Sequence, residues 1–319
     1  MIARAFARTL LALLALFAGS APVRAEPEPV PAYRLDGPLR QETLVIARTG
    51  GNPAKLQPRL QRVVDFLVDH LEGTRIRRGV ALVTENNAQL LRLLRQGRVD
   101  IIPDTLYTAL LFREVGGAEI FLREWRDGVP TYSGMFITRA GSDIRHLEDL
   151  RGKRVAFEDE GSTTGFRLPL VILKDHGLVT EQLERPDDMS APSKVGYLFA
   201  GREKNIVRWV ATGKVDAGAI SNLDWVDPGV TPPDLRTELR VFHMTEPLVR
   251  SVITLRGDLD PRLRSEIKRV LLSMHESEEG REILDDCLNV TRYDEFVGDA
   301  LQQLERSIEL LEPALDQTR

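Results

Sequence analysis

Two hydrophobic periods alternate along the chain. Thr43-Leu-Val-Ile-Ala47 is a short apolar run of the buried-strand kind, and Arg48 to Pro53 is a glycine-containing turn. Lys55 to Leu71 then places Leu56, Leu60, Val63, Val64, Leu67 and Leu71 at three- and four-residue intervals, which predicts a helix. Val80 to Val83 reads as a strand, Asn87 to Gln96 as a helix closed by Gly97, and Val99 to Ile102 as a third strand followed by the polar turn Pro103 to Thr108. A further helix, Leu106 to Val115, and a short strand, Ile120 to Leu122, complete this half. Strands joined through helices by short connections predict an α/β lobe, with a mostly parallel sheet covered on both faces. In such sheets ligands sit beyond the carboxyl ends of the strands, where the polar turns 48–52, 84–87 and 104–108 would converge.

After a strand at Tyr132 to Thr138 the pattern restarts. Val155 to Phe157 is a strand, Lys194 to Phe199 another, Arg202 to Ala211 a helix and Val215 to Ile220 a strand ending in the polar turn Ser221 to Asp224. Gln96-Gly-Arg-Val-Asp and Thr212-Gly-Lys-Val-Asp repeat one phrase at the same point of each half, as two similarly built lobes would. The tail returns through Leu239 to Met244 and Val249 to Leu255. Three helical segments follow: Pro261–Met274, Ser277–Asp286 and Tyr293–Leu311.

The N-terminus differs in kind. Arg4 and Arg8 precede the apolar run Leu10 to Phe17, and Val23-Arg24-Ala25 supplies a cleavage point, so residues 1–25 read as a secretory signal peptide cut after Ala25. Residues 26–41, rich in proline and charge, read as a flexible leader, and the mature protein is expected to be exported and periplasmic. Removing a segment with three arginines and no acid takes the formal charge from −5 to −8, which disfavours nucleic acid as a partner. Cys287 is the single cysteine, which excludes an intrachain disulfide.

The stretch richest in chemistry is Val155-Ala-Phe-Glu-Asp-Glu-Gly-Ser-Thr-Thr-Gly-Phe-Arg-Leu-Pro169. Serine or threonine before a helix ordinarily caps the chain's own N–H groups. Ser162, Thr163 and Thr164 exceed what one cap requires, and Gly165 beside them would let a ligand approach, so the group reads as a neutral oxyanion socket. Arg48 is the cation expected within reach of such an anion; Arg167 could reach it too or equally be a solvated helix residue. The five histidines lack metal-ligand spacing, and neither a nucleophile elbow nor a phosphate-loop lysine occurs, so an enzyme is not expected and no metal or cofactor is called for.

In four segments the chain resembles the phosphate/phosphonate-binding periplasmic proteins of ABC transporters, the PhnD-like group of type II periplasmic binding proteins. These are Asn86 to Ile101; Ile144 to Phe157 with Leu-Glu-Asp-Leu-Arg-Gly-Lys-Arg-Val-Ala; Gly161 to Pro169; and Val207 to Ile220. The resemblance implies two lobes joined by crossings near 132–138 and 243–252. The first lobe would comprise 42–135 and 246–319, and the second 136–245, closing on a ligand between them. It also implies that Ser162, Thr163 and Thr164 hold phosphoryl or phosphonyl oxygens, while Asn222 and Asp224 face the ligand's other end. Where the family has a Gly-Pro-Leu-Ser-Tyr-like turn, this chain has Pro103-Asp-Thr-Leu-Tyr-Thr108, which keeps the hydroxyls of Thr105, Tyr107 and Thr108 nearby. Asp104 there would repel a dianion unless it points away or is protonated or paired. Tyr132, at the first crossing, and Trp225, next to Asp224, are the aromatics expected near the ligand. The implied function is capture of a small oxyanion by a monomer for an ABC permease; delivery of the same closed state to a membrane sensor, a kinase or cyclase, remains open.

Overall fold

A computed structural model describes residues 37–315; the predicted signal peptide and most of the leader lie outside the described residues. The helical turn α1 (Gly37–Gln41) leads into β1 (Thr43–Thr49), α2 (Pro53–His70), β2 (Arg78–Thr84), α3 (Asn87–Arg95), β3 (Ile101–Thr105), α4 (Leu106–Gly116) and β4 (Ala118–Arg126). After β5 (Thr131–Tyr132) come β6 (Gly134–Arg139), β7 (Arg154–Phe157), α5 (Leu168–Asp175), β8 (Val179–Gln182), β9 (Lys194–Phe199), α6 (Glu203–Ala211) and β10 (Ala217–Ser221). Two short helices, α7 (Asn222–Val226) and α8 (Pro233–Thr237), precede β11 (Leu239–Met244), β12 (Leu248–Val249) and β13 (Ser251–Arg256). The chain ends with α9 (Pro261–Ser273), α10 (Glu278–Asp286), β14 (Val290–Asp294) and α11 (Asp299–Leu315).

Two six-stranded sheets result, ordered β14-β4-β13-β3-β1-β2 and β11-β6-β10-β7-β9-β8. Each is mixed rather than mostly parallel. In the first, β1 runs parallel to β2 and β3, whereas β13 is antiparallel to both β3 and β4. In the second, β7 is parallel to β9 and β10, whereas β6 is antiparallel to β10 and β11. The reversed strands β6 and β13 are entered from the crossings, which bring no helix with them to reverse the chain, while β14, antiparallel to β4 at the edge, follows α10. Between the sheets, β5 pairs with β12 through Tyr132 opposite Leu248.

Alternation along β1 shows how both faces are covered. Leu44 and Ile46 join α2, α9 and α10 in one core, while Val45 and Ala47 join Leu90 and Leu94 of α3 and Phe112 of α4 on the other side. A third core spans the halves: Leu106 and Leu110 of α4, Leu168 and Val171 of α5, and Leu304 and Leu311 of α11 pack together around Leu248 and Val249. Helix α11 thus covers the joint from behind, and Ser307 Oγ accepts the Val249 N–H at 3.0 Å.

Three expectations change. The strand expected at Val99 to Ile102 is β3, which runs on to Thr105, because Pro103 and Asp104 pair with β13 instead of turning. Tyr293 lies in an edge strand, β14, and α11 starts only at Asp299. The end of the leader is tied down: Arg40 reaches Asp100 at 2.6 Å and donates to Gly97 O.

The repeated Gly-basic-Val-Asp phrase has a structural meaning in both halves. Gly97 and Gly213, at φ of 66° and 73°, end α3 and α6 in the left-handed conformation. The aspartate three residues on then bonds reciprocally to a neighbouring segment. Asp100 donates its N–H to Val45 O while its carboxylate accepts the Val45 N–H, both at 2.9 Å. Asp216 does the same with Arg154, again at 2.9 Å both ways. Asp100 is 1% exposed and also receives Arg40 and Arg256. Asp100→Ala would leave Arg40 and Arg256 without their shared carboxylate; it should cost about 3–5 kcal/mol in urea unfolding, and Asp216→Ala, at a more exposed position, clearly less.

Candidate functional site

A cavity of about 490 Å³ lies between the sheets at the ends of β1, β3, β7 and β10. From the first sheet come Arg48 and Thr49 of β1, Asn87 of α3, Asp104 and Thr105 of β3, Thr108 of α4 and Arg126 of β4. The three polar segments expected to converge each contribute at least one of these residues. Tyr132 and Arg250 enter from the crossing, and the second sheet supplies Glu158, Ser162, Thr163, Thr164, Glu203, Ser221 and Asp224.

The hydroxyl-rich wall owes its shape to Pro169. Residues Thr163–Arg167 form a wide turn in which Arg167 N–H bonds Ser162 O at 2.9 Å and Leu168 N–H bonds Thr163 O. Pro169 has no N–H to offer Gly165 O, which instead accepts the Glu158 N–H at 3.0 Å and ties the turn to the end of β7. Ser162 Oγ caps the turn by accepting the Gly165 N–H at 3.0 Å. A Cβ at Gly165 would meet Ser162 Oγ at 2.7 Å and Glu158 Cβ at 2.9 Å, so this glycine allows internal packing rather than approach of a ligand. Thr163 and Thr164 are buried, and Thr163 Oγ1 has no hydrogen-bond partner.

Opposite stands a cationic wall. Arg48 Nη1 is buried and also without a hydrogen-bond partner. Arg126 donates from Nε to Leu288 O at 3.1 Å, and Arg250 holds the Arg126 carbonyl at 2.6 Å and Asp127 at 2.9 Å. Burial, and then the charge of Arg48, draw the Arg126 pKa below its ordinary value. Behind them Glu124, 1% exposed, accepts from Ser251 Oγ at 2.8 Å and lies 4.0 Å from Arg126.

Asp104 faces the cavity and is buried, with its Oδ1 accepting the Thr105 N–H at 2.7 Å. Burial raises its pKa towards the neutral form, opposed first by the charge of Arg48. Glu158 is pushed up to about 9, chiefly by burial and then by the charge of Glu203, so it holds a proton at neutral pH. Asp224 is also raised by burial; it closes a capping box with Ser221, whose hydroxyl donates to it at 2.6 Å. Tyr132 is pushed up to about 12 by burial and stays an O–H donor, with the Thr163 and Thr164 hydroxyls beside it. The acids therefore oppose an entering anion less than their number suggests.

Of the residues singled out in the sequence, Arg48, Thr105, Thr108, Tyr132, Ser162, Thr163, Thr164 and Asp224 line this cavity. Tyr107, Gly165 and Asn222 are placed elsewhere. Tyr107 turns to the far side of α4 under the Arg167 guanidinium, 4.9 Å from its ring. Asn222 bonds both ways with Ser133, its Oδ1 accepting the Ser133 N–H at 2.7 Å, and so pins α7 to the crossing. Arg126 and Arg250 were missed, as were Glu158, Glu203 and Asn87. A strand carried past Leu122 would have revealed one of them, since Leu122, Glu124 and Arg126 continue the period of two.

The structure is similar to that of XAC2383 from Xanthomonas citri, solved with ATP and with chloride bound. TM-scores are 0.81 and 0.82, with 28% and 29% identity over 87% and 86% of this chain and 100% and 99% of that one. It shares its fold with PhnD1 of Prochlorococcus marinus in complex with methylphosphonate, at a TM-score of 0.62 and 20% identity over 86% of this chain and 98% of that one. Two α/β lobes meeting at a cavity, with these neighbours, give the fold of type II periplasmic binding proteins. The family of ABC transporter, phosphonate, periplasmic substrate-binding proteins matches residues 49–300, and the chain belongs to it. Among curated relatives, the phosphate-import protein PhnD of Mycolicibacterium smegmatis is 30% identical over 146 residues, 44% of this chain and 43% of that protein. The chain thus spans about half the length, or less, of the curated relatives it matches.

Glu158 gives a pH signature. Its folded pKa lies above the unfolded one, so the native state holds a proton that the unfolded state releases, and its contribution to stability declines as pH rises from about 4.5 to 9. Glu158→Gln should flatten the fall of Tm across that window, as read by calorimetry from pH 5 to 9. A pH profile parallel to the wild type would show that Glu158 is ionised throughout.

Proposed function

We propose that the protein captures a phosphate- or phosphonate-type oxyanion in the inter-lobe cavity, in the periplasm, and delivers it to an ABC permease without chemical change. The observation that carries this reading is the pairing of opposite walls. Arg48 Nη1 on one side is buried without a hydrogen-bond partner, and Thr163 Oγ1 on the other is buried with only the Tyr132 hydroxyl beside it, both on residues that line the same cavity. A buried polar atom left without a hydrogen bond is costly, and an oxyanion satisfies both at once. Arg126, Arg250, Ser162, Thr164, Thr105, Thr108 and the Tyr132 hydroxyl complete a donor-rich lining, while Asp224 stands at the second-lobe end. Because donors come from both lobes, a bound ion favours the closed arrangement of the lobes, which is the form a permease distinguishes.

Hydrogen bonds to a charged oxygen contribute about 1.5–3 kcal/mol. Thr163→Val, which keeps the shape and removes the hydroxyl, should therefore weaken methylphosphonate binding by about ten- to a hundredfold in titration calorimetry. Arg48→Gln should weaken it at least as much. Absence of binding by phosphate, phosphite and methylphosphonate alike, or unchanged affinity in both variants, would refute the reading.

A further inference from the structure

Asp104 stands out on the cationic wall. Its main chain is fixed in β3, opposite Val252 of β13, and its carbonyl accepts the Ser251 hydroxyl at 3.0 Å. The residue is 7% exposed and lines the cavity. Both hydrogen bonds that its carboxylate accepts fall on Oδ1, from the Thr105 N–H at 2.7 Å and the Thr105 hydroxyl at 3.4 Å. Among the described residues none donates to Oδ2. Arg48 shares this wall, and its Nη1 makes no hydrogen bond to Asp104 or to any other group.

The other acids of the cavity are differently placed. Glu158, Asp159, Glu203 and Asp224 all belong to the second lobe; Glu158 is hydrogen-bonded to Ser162 and Glu203, and Asp224 takes the N–H and hydroxyl of Ser221. Asp104 is the carboxylate that meets an anion drawn to Arg48 and Arg126, whose charges both act on it. An ionised carboxylate oxygen only accepts hydrogen bonds, and so does every oxygen of a sulfate or sulfonate. Two such acceptors brought together out of water repel. A ligand oxygen that carries hydrogen donates instead. An anion without hydrogen obliges Asp104 to take a proton from water; burial eases that uptake, and the charges of Arg48 and Arg126 oppose it. A cost therefore remains whenever Asp104 is ionised in the free protein.

Resting on the oxyanion site above, we propose that Asp104 sets its specificity: Oδ2 accepts a hydrogen bond from a hydroxyl of the bound ion. The cavity then selects tetrahedral oxyanions that bring a hydroxyl, such as the monoanions of phosphate, phosphite and phosphonates. Sulfate and sulfonates, of similar shape, are refused.

Methylphosphonate and methanesulfonate isolate the hydroxyl. Below the second ionisation of the phosphonate both are monoanions with one methyl group, and they differ by that hydrogen. Titration calorimetry of the full chain in this range should give methylphosphonate the tighter binding by at least about a hundredfold. Asp104→Asn keeps an oxygen for the Thr105 N–H and puts an amide donor in place of Oδ2. It should shrink the ratio by at least about tenfold, with methanesulfonate bound more tightly than by the wild type. Asp104→Ser, measured beside it with thermal melts of both variants, should shrink the ratio likewise and covers misfolding of the amide variant. Equal affinities in the wild type, a preference for methanesulfonate, or a ratio that survives both substitutions would overturn the inference and leave the oxyanion site standing. So would a parallel loss of affinity for both ligands, the mark of a purely structural Asp104. If the wild type binds neither ligand, the oxyanion reading falls and this inference with it.

Discussion

The constraint on which the site depends is the pairing of two half-buried arginines, Arg48 and Arg126, at one cavity. Partial withdrawal from water and the charge of Arg48 draw the Arg126 pKa down. Asp104 and Glu124 answer with negative charge, but both are buried and are driven towards their neutral forms in turn. On the proposed function, an oxyanion would bring negative charge to the arginines without requiring the protein to bury another ionised carboxylate.

The second lobe contributes no charge of the same kind. Its hydroxyls are presented by a turn whose width follows from a proline that cannot donate, and whose tightness against Glu158 requires glycine at 165. A hydroxyl-bearing wall, which also carries Glu203, faces a cationic one, so a ligand between them would have donors from each lobe. The crossing strands β5 and β12, backed by α11, keep the two walls at the ends of one covered joint. On the proposed function, binding energy from both walls would thereby be available to set the position of the lobes.

Much of the fold was legible because its strands are short apolar runs and its helices carry clear stripes; β1, α2, α3 and α9 lie within a few residues of their expected bounds. The strand directions were not, since antiparallel β6 and β13 look locally like any other buried strand. At the site, Ser162, Thr163, Thr164 and Arg48 could be found because hydroxyls in excess of a cap and an arginine at a strand end are local signals. Arg250 and Glu203 gave none: each is an ordinary charged residue until the crossing and α6 bring it to the cavity, whereas Arg126 was signalled only by the period of two along β4. Tyr107 misled for the converse reason, since a helix beginning at Leu106 turns neighbouring positions to different faces. Asn222 misled because its amide serves the Ser133 backbone.

The central claim is that one ligand is held by both lobes. Amide hydrogen exchange with and without methylphosphonate tests it most directly. Slowed exchange in residues 48–51 and 161–165 together, appearing at the same ligand concentration, is the expected result. Protection confined to one of these segments, or found only away from both, would contradict an oxyanion bound between them.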